Sequence, residues 1–492
     1  YYMGFDESTL AYKPVNPTTL VNLKGTESLA GNFNWSSTGS NWINEIENRY
    51  VSFYANAAYA FDSKYNLTAS IRIDQSNLFG TDPRYQYRPL WSVGGAWHLS
   101  KERFIAGKLS WLNNLTLRLT YGIGGNVPRG AGPFVTIKAA QYNPWSKDFG
   151  ADIKNPPNYT LRWEKTATTN LGLDFAVLNN RLSGSIEVYR KHSTDLLAQR
   201  DADPTLGFRQ LTLNYGNMTN KGVELTLNSV NVQTRSLRWT TGVNFGYNKN
   251  MLDDVEDSNP NVHSYTSGFA AVKGHPLGAI FSFRYAGLSS TDGTPRYYVD
   301  GGSKTDSKVS NLSDLAYSGT RHPTYSGSLS NTIAYKNLEL SFMFMFYGGN
   351  VLRAEPAPFL SEPSHLNPSK EMRNIWRQPG DEKNPNATPA FTGYALDLTT
   401  MVHPWYAADR HVFKGDYAKL RHLSFTYRVP QQFASKCKLS QLAFTLQAQN
   451  LFRWTANDYG IDPEALGTTG YGWGMRAIPT PATWTFGVSA TF

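Results

Sequence analysis

Few residue groups in this chain of 492 residues have the types and spacing that chemistry requires. Asp253, Asp254, Glu256 and Asp257 gather carboxylates of the kind calcium uses. They lack the Asp-x-Asp-x-Asp-Gly spacing, so a solvated acidic loop is the preferred reading. His403 and His411 flank Trp405-Tyr406, but zinc sites use tighter spacing and a fuller ligand set. Gly122-Ile123-Gly124-Gly125-Asn126 follows a strand-like segment and invites comparison with a phosphate loop. No Lys-Ser/Thr follows and no helix opens, so it reads as a glycine-eased bend at a strand end. No Ser/His/Asp or Cys/His constellation stands out. We therefore expect no catalytic residues, no metal and no cofactor. Cys437 is alone and cannot form an intrachain disulfide; it is expected to pack as a small residue.

A third kind of chemistry is stacking. Trp376, Trp405, Tyr406, Tyr471 and Trp473 lie in long segments between strand-like stretches. Aromatic faces there could stack on sugar rings or pack against a covering protein. The alternative is that they fold the loops together.

The elements that carry these segments alternate with period two. In the last ten residues, Trp484, Phe486, Val488, Ala490 and Phe492 alternate with Thr483, Thr485, Gly487, Ser489 and Thr491. About ten alternating residues suffice for a tilted strand to cross a bilayer, one face in lipid and the other in a polar lumen. The same pattern predicts spanning strands over 50–61, 65–74, 90–99, 112–122, 166–177, 181–190, 219–228, 237–248, 322–335, 338–347, 418–429, 441–450 and 483–492. Helical periodicity is nowhere sustained.

The connections alternate in length. Short ones fall at 62–64, 178–180, 229–236 and 336–337; long ones at 75–89, 123–165, 191–218, 348–417 and 451–482. Short periplasmic turns opposed to long extracellular loops are the sidedness of bacterial barrels. Counted back from a periplasmic C-terminus, the strand at 237 runs outward and that at 322 inward, so 279–288 cannot span. We expect 249–321 to be an extracellular excursion containing a non-spanning hairpin. Tyr121, Phe175, Tyr189, Tyr335, Tyr347 and Tyr427 sit near strand ends, where a membrane-interface girdle is the default.

Composition agrees. Aromatics are 14%, with 29 Tyr and 13 Trp, yet mean hydropathy is −0.44. Aromatic girdles with polar lumens and hydrophilic loops produce that combination. No apolar run approaches the roughly 18 residues of a transmembrane helix. The net charge of +9 comes from scattered Lys and Arg with no basic run, so nucleic acid is not an expected partner; anionic lipid headgroups or an acidic partner surface explain it more simply. The fold class is thus all-β, a transmembrane antiparallel barrel with long extracellular loops. About thirteen spanning strands is an odd count, whereas bacterial single-chain barrels are even. The chain also begins without a charged n-region or apolar h-region. Both lead us to expect further strands upstream of Tyr1, with 1–49 forming a loop and the end of such a strand and 50–492 the C-terminal part of the barrel. Phe492 would then close the barrel against a strand outside this sequence.

Several phrases in order resemble one family. Leu67-Thr68-Ala69-Ser70-Ile71-Arg72-Ile73-Asp74 with Phe79-Gly80, and Trp111-Leu112-Asn113-Asn114-Leu115 through Leu119-Thr120-Tyr121-Gly122-Ile123-Gly124-Gly125-Asn126, are the first two. Leu161-Arg162-Trp163-Glu164-Lys165, Asn170-Leu171-Gly172-Leu173-Asp174-Phe175, Asn180-Arg181-Leu182-Ser183-Gly184, Asn217-Met218-Thr219-Asn220-Lys221-Gly222-Val223-Glu224-Leu225 and Gly274-His275-Pro276-Leu277-Gly278 follow. Trp376 with Pro379-Gly380-Asp381, Tyr417-Ala418-Lys419-Leu420-Arg421, Gln449-Asn450-Leu451-Phe452 and Gly460-Ile461-Asp462-Pro463-Glu464 complete the order. Together they resemble the SusC family of TonB-dependent outer-membrane transporters of Bacteroidota.

The resemblance implies a barrel of about 22 strands around a plug. It would leave about nine strands, the plug and the TonB-interacting segment outside this sequence. It further implies active import of an oligosaccharide, or in some members an oligopeptide, beneath a SusD-like surface lipoprotein lid. The five loop aromatics would then contact substrate or lid. A non-transporting adhesive or structural barrel is the second reading, and a soluble all-β enzyme the third.

Overall fold

The computed structural model describes residues 2–6, 11–15, 49–77, 80, 82–126, 132–143, 148–201, 203, 205, 210–255, 260–268, 270–302, 304–306, 309, 311–354, 370–390, 403–468, 474–476 and 478–492. The chain divides into two compact units, 1–51 and 52–492. In the first, Tyr2–Asp6 pairs antiparallel with Ala11–Val15.

Thirteen strands form one sheet in chain order. They are β1 (Tyr50–Phe61), β2 (Tyr65–Ser76), β3 (Pro89–His98), β4 (Leu112–Asn126), β5 (Glu164–Val177), β6 (Leu182–Asp201) and β7 (Gln210–Gln233). Then follow β8 (Leu237–Asp254), β9 (Tyr325–Tyr335), β10 (Leu338–Gly348), β11 (Tyr417–Arg428), β12 (Gln441–Thr455) and β13 (Thr483–Thr491). Each predicted spanning strand is present. Among the described residues, no helix is long and apolar enough to cross a membrane.

The register explains why alternation was so readable. Val488 lies opposite Phe444, Phe444 opposite Tyr427, Tyr427 opposite Leu338 and Leu338 opposite Tyr335. Further along, Phe245 faces Leu225, Leu225 faces Ile186, Ile186 faces Leu173 and Leu173 faces Leu117. One face thus carries a continuous row of apolar side chains, many of them exposed, such as Phe486 at 67% and Ile186 at 40%. A soluble protein would bury such a face; a barrel presents it to lipid. The opposite face is polar. Arg118 donates to both carboxylate oxygens of Asp174 and to Glu187 at 2.8 Å, and Asn170 donates to Glu187 at 2.8 Å.

The tight turns sit at one end. Leu178, Asn179 and Asn180 all adopt positive φ, as do Asp62, Ser63 and Lys336. Asn and Asp tolerate that region best among side-chain-bearing residues.

Five expectations change. The Gly122–Asn126 stretch is no bend: it is the end of β4, paired with 164–168 of β5. A Cβ on Gly122 would come 2.7 Å from that of Ser92, and one on Gly125 would come 2.9 Å from the Trp163 ring, so close packing explains the glycines. β6 and β7 run well past their predicted 181–190 and 219–228, because above the membrane they pair with each other through Asp201 and Gln210. Alternation fades there because no lipid selects one face. The 279–288 segment lies outside the main sheet, as direction required, but it is not one hairpin: Ala279–Phe283 pairs with Leu315–Thr320, while Tyr285–Leu288 pairs with Pro295–Val299. Tyr189 and Tyr347 belong to the lumen face rather than the girdle, since they alternate with the outward Val188 and Phe346. Tyr189 donates to Asn248 Oδ1 at 3.2 Å, and Tyr347 stacks on Tyr417 with centroids 5.3 Å apart. Cys437 is exposed; its neighbour Ala434 takes the small-residue packing role at 1% exposure.

The two faces make opposite demands on a charge. In the intact gene product folded into lipid vesicles, Ile186→Arg should lower unfolding free energy by about 2–4 kcal/mol. Ser185→Arg, one residue away on the lumen face, should change it by less than about 1 kcal/mol. Urea titration followed by tryptophan fluorescence measures both, and equal losses would contradict the assigned faces.

Candidate functional site

Above the long-loop end of the sheet, sequence-distant segments build a folded layer. Phe283, Tyr297, Val309, Ala407 and Ala408 form its buried core, with Tyr285 and Leu315 packed against it. Arg353, just beyond β10, enters this layer at 2% exposure. It donates to the Thr266 carbonyl, and to the Phe281 carbonyl and Ser282 Oγ at 2.6 and 2.9 Å. Burial pushes the guanidinium down to about 10. Carbonyl and hydroxyl oxygens hold its two terminal nitrogens in place of a carboxylate, while its Nε has no hydrogen-bond partner among the described residues; one side chain thus ties the helix at Thr266 to the strand at Phe281–Ser282.

A second anchor joins β11 and β12 to the loop after β12. Lys419, 4% exposed, donates to Asp462 at 2.9 Å and to Glu464 at 2.7 Å. Arg453 pairs with Asp462 at 3.0 Å, and Arg421 reaches Glu464. Burial pushes the Asp462 carboxyl up, but Lys419, the Glu464 backbone N–H and Arg453 outweigh it and hold it below the usual carboxylate range.

Between β7, β8 and the layer lies a cavity of about 600 Å³. Asn220, Asn248, Asn250, His275, Tyr317 and His322 contribute to its lining. Asn248 and Asn250 both donate to Asn220 Oδ1, at 3.2 and 2.9 Å, and the Leu277 N–H donates to Asn250 Oδ1 at 2.7 Å. His275 lies 4.8 Å from the Tyr317 ring. Lys249 also contributes to the lining, so the cavity offers amide and ring faces with one cation, which suit a hydroxyl- or amide-bearing ligand. Sequence reasoning singled out none of these as site residues. The only signals were the Gly274–Gly278 and Asn217–Leu225 phrases, which carried family resemblance without a chemical role.

The five aromatic candidates fare differently. Trp405 is 1% exposed, its ring edge-on to His411 at 4.6 Å and to Tyr285 at 5.9 Å, with the Arg410 guanidinium 5.1 Å over it. Trp405 therefore holds the layer together and offers no open face. Tyr406, on the same short helix His403–Tyr406, is half-buried. Trp376 is half-buried and packs separately: its Nε1 donates to Glu382 at 3.3 Å, and a Cβ on Gly293 would come 2.4 Å from its ring. Tyr471 and Trp473 lie outside the described residues, as do Glu256 and Asp257 of the acidic cluster. Asp254 pairs with Lys273 at 2.9 Å, and Asp253 accepts from Thr219 at 2.5 Å. No group of metal-binding side chains occurs among the described residues.

A meander of thirteen strands with an apolar outer row, a polar inner face and a folded loop layer defines an outer-membrane β-barrel. The chain belongs to the family described as TonB dependent receptor-like, beta-barrel, whose model matches residues 5–451. It is 26% identical over 489 residues to TonB-dependent receptor P3 of Formosa agariphila, covering 92% of this chain and 46% of that protein. It is 31% identical over 212 residues to TonB-dependent receptor SusC of Bacteroides thetaiotaomicron, 42% of this chain and 21% of that one. The solved structure of the RagAB peptide transporter shares the fold at TM-score 0.74 and 24% identity, over 90% of this chain and 48% of its own. The chain spans about half the length of the Formosa relatives it matches. The protein is an outer-membrane protein, as its sequence suggested.

Two predictions follow from the anchors. Lys419→Ala leaves Asp462 buried with one cation fewer and should destabilise the 456–465 loop by about 3 kcal/mol; hydrogen exchange in that loop should accelerate while β11 and β12 stay protected, and unchanged loop exchange would contradict the anchor. The second concerns pH. Burial, with His263 and Arg353 nearby, pushes His403 down to about 4, and burial holds His411 well below its usual value. Both are lowered relative to the unfolded value near 6.5, so their contribution is complete above about pH 6.5 and is lost as pH falls through that window toward about 4. Burial shifts Asp409 up, which opposes this, but it is one acid against two rings. Amides of 403–414 should lose protection between pH 7.5 and pH 4.5, after correction for intrinsic rates; constant protection would contradict the assignment.

Proposed function

We propose that the intact protein is a TonB-dependent active importer of SusC type, of which this chain forms the C-terminal barrel strands and the extracellular loop layer. The remaining strands, a plug and the TonB-interacting segment would lie in the part of the relatives' length that this chain does not span. Import proceeds without covalent catalysis. Substrate binds between barrel loops and a SusD-like surface lipoprotein lid, then passes a plug that rearranges when TonB transmits energy from the inner membrane.

The observation that carries this reading is the folded loop layer over a membrane barrel, with a cavity of about 600 Å³ at its junction with β7 and β8. A merely structural barrel has no need of a concave site held by an asparagine ladder. Oligosaccharide is the substrate class we favour, because amides and rings bind hydroxyls and sugar faces without demanding charge. Trp376 and Tyr406 are the aromatics left with part of their surface open, and Tyr471 and Trp473 stay with them as candidate substrate or lid contacts. Trp405 acts behind them, in the layer's core. The RagAB peptide transporter's shared fold makes oligopeptide the alternative.

Deletion of the intact gene should abolish growth on one class of oligosaccharide as sole carbon source and spare growth on its monosaccharide. The tagged full-length protein should copurify a surface lipoprotein. A growth defect on oligopeptides alone would transfer the assignment to that class. Unimpaired growth on both classes, with loss of surface attachment, would replace transport by adhesion.

A further inference from the structure

On the outward face of β6, β7 and β8, three cations stand side by side. Arg190 is directly opposite Lys221, and Lys221 is directly opposite Lys249. All three are exposed, and they line a shallow cavity of about 470 Å³. Like charges directly opposite on neighbouring strands destabilise a sheet, so this row costs the fold something. Among the described contacts no carboxylate neutralises it. The inward Glu187 and Glu224 point to the lumen by alternation, and Glu187 is held by Arg118. On the outward face, Asp253 accepts from Thr219 and lies 3.5 Å from His192, two strand positions further from the membrane.

The row's position tells what neutralises it. Two residues toward the membrane, the same strands present Val188, Val223 and Tyr247, at 49%, 38% and 41% exposure, with Leu171 beside them at 46%. These belong to the apolar row that faces acyl chains. Tyr121, opposite Thr169 at this level, is 40% exposed and packs against Trp91 with centroids 5.5 Å apart, an aromatic pair at the height expected of the interface. The cations therefore sit at headgroup level on the long-loop side. The cavity continues downward onto an apolar floor.

We propose that Arg190, Lys221 and Lys249 form a binding site for a phosphorylated lipid of the outer leaflet, its phosphate bridging the three cations and its first acyl segment lying on Val188, Val223 and Leu171. A free anion would gain nothing from that floor, and a neutral lipid nothing from the row. The anionic headgroup converts a repulsive row into a clamp across three strands, directly beneath the extension of β6 and β7 that carries the loops. The site depends on the barrel's place in the membrane and not on which nutrient it imports, so failure of the transport reading would leave it intact.

The test uses the full-length gene product in detergent micelles, titrated with dioleoylphosphatidic acid, dioleoylphosphatidylcholine or inorganic phosphate and read by native mass spectrometry. Phosphatidic acid should bind about tenfold or more tightly than phosphatidylcholine, and Lys221→Gln with Lys249→Gln should remove that preference. Lys221→Arg with Lys249→Arg should retain it, which separates charge from any folding defect. Equal binding of both lipids by the native protein, an unchanged preference in the glutamine variant, or binding of inorganic phosphate as tight as that of the lipid would each overturn the proposal.

Discussion

Everything in this protein depends on one constraint: inside hydrocarbon, no backbone N–H or C=O can be left without a partner. An antiparallel meander meets it strand by strand, and the thirteen-stranded ladder from Tyr50 to Thr491 does so with two-residue to few-residue turns on one side. Satisfying the backbone leaves alternate side chains pointing into lipid, and there the chain places its Leu, Ile, Val, Phe and Trp. At Gly327, which interrupts that face, an aromatic ring covers the gap. Phe346 lies over Gly327, where an added Cβ would come 2.3 Å from the ring, and also stacks with Phe245 at 6.5 Å between centroids. The polar inner face is then free to carry ion pairs such as Arg118 with Asp174 and Glu187, which a soluble sheet interior would rarely tolerate in this number.

The loops obey different physics. Above the membrane, water returns and the apolar residues turn inward, so the layer has a small core of its own around Phe283 and Tyr297. It is fastened to the barrel rim by buried charged groups that donate across segments. Arg353 is held by carbonyl and hydroxyl oxygens, and its field helps keep His403 and His411 neutral. Lys419 is held by two carboxylates. Such anchors fix position more than they add stability. A binding surface built from long loops needs fixed positions.

The spanning strands were legible from sequence because lipid and lumen impose a period of two on every crossing, and because alternating loop lengths fixed direction. Direction alone kept 279–288 out of the sheet. The failures have equally physical causes. Nearness to strand ends suggests the girdle for Tyr189 and Tyr347, whereas their parity against Val188 and Phe346 puts them on the inner face. The upper halves of β6 and β7 lost their alternation where lipid ends. Gly122 and Gly125 look like turn residues in sequence, and only the neighbours Ser92 and Trp163 reveal close packing instead. The site was least legible: the Asn220, Asn248 and Asn250 ladder and the burial of Trp405 join residues far apart in the chain, and periodicity carries no trace of them.

That one face of each strand meets lipid is the assignment on which the loops, the lumen and the rim all rest. It is tested most directly by placing single cysteines along Thr483–Thr491 in the intact protein, with the exposed Cys437 replaced by serine, and attaching a spin label at each position in reconstituted bilayers. Labels at 484, 486 and 488 should collide preferentially with oxygen, which concentrates in the bilayer, and those at 485, 487 and 489 with a polar nickel chelate. A uniform response along the strand, or the reverse alternation, would contradict the assignment of faces on which the rest is built.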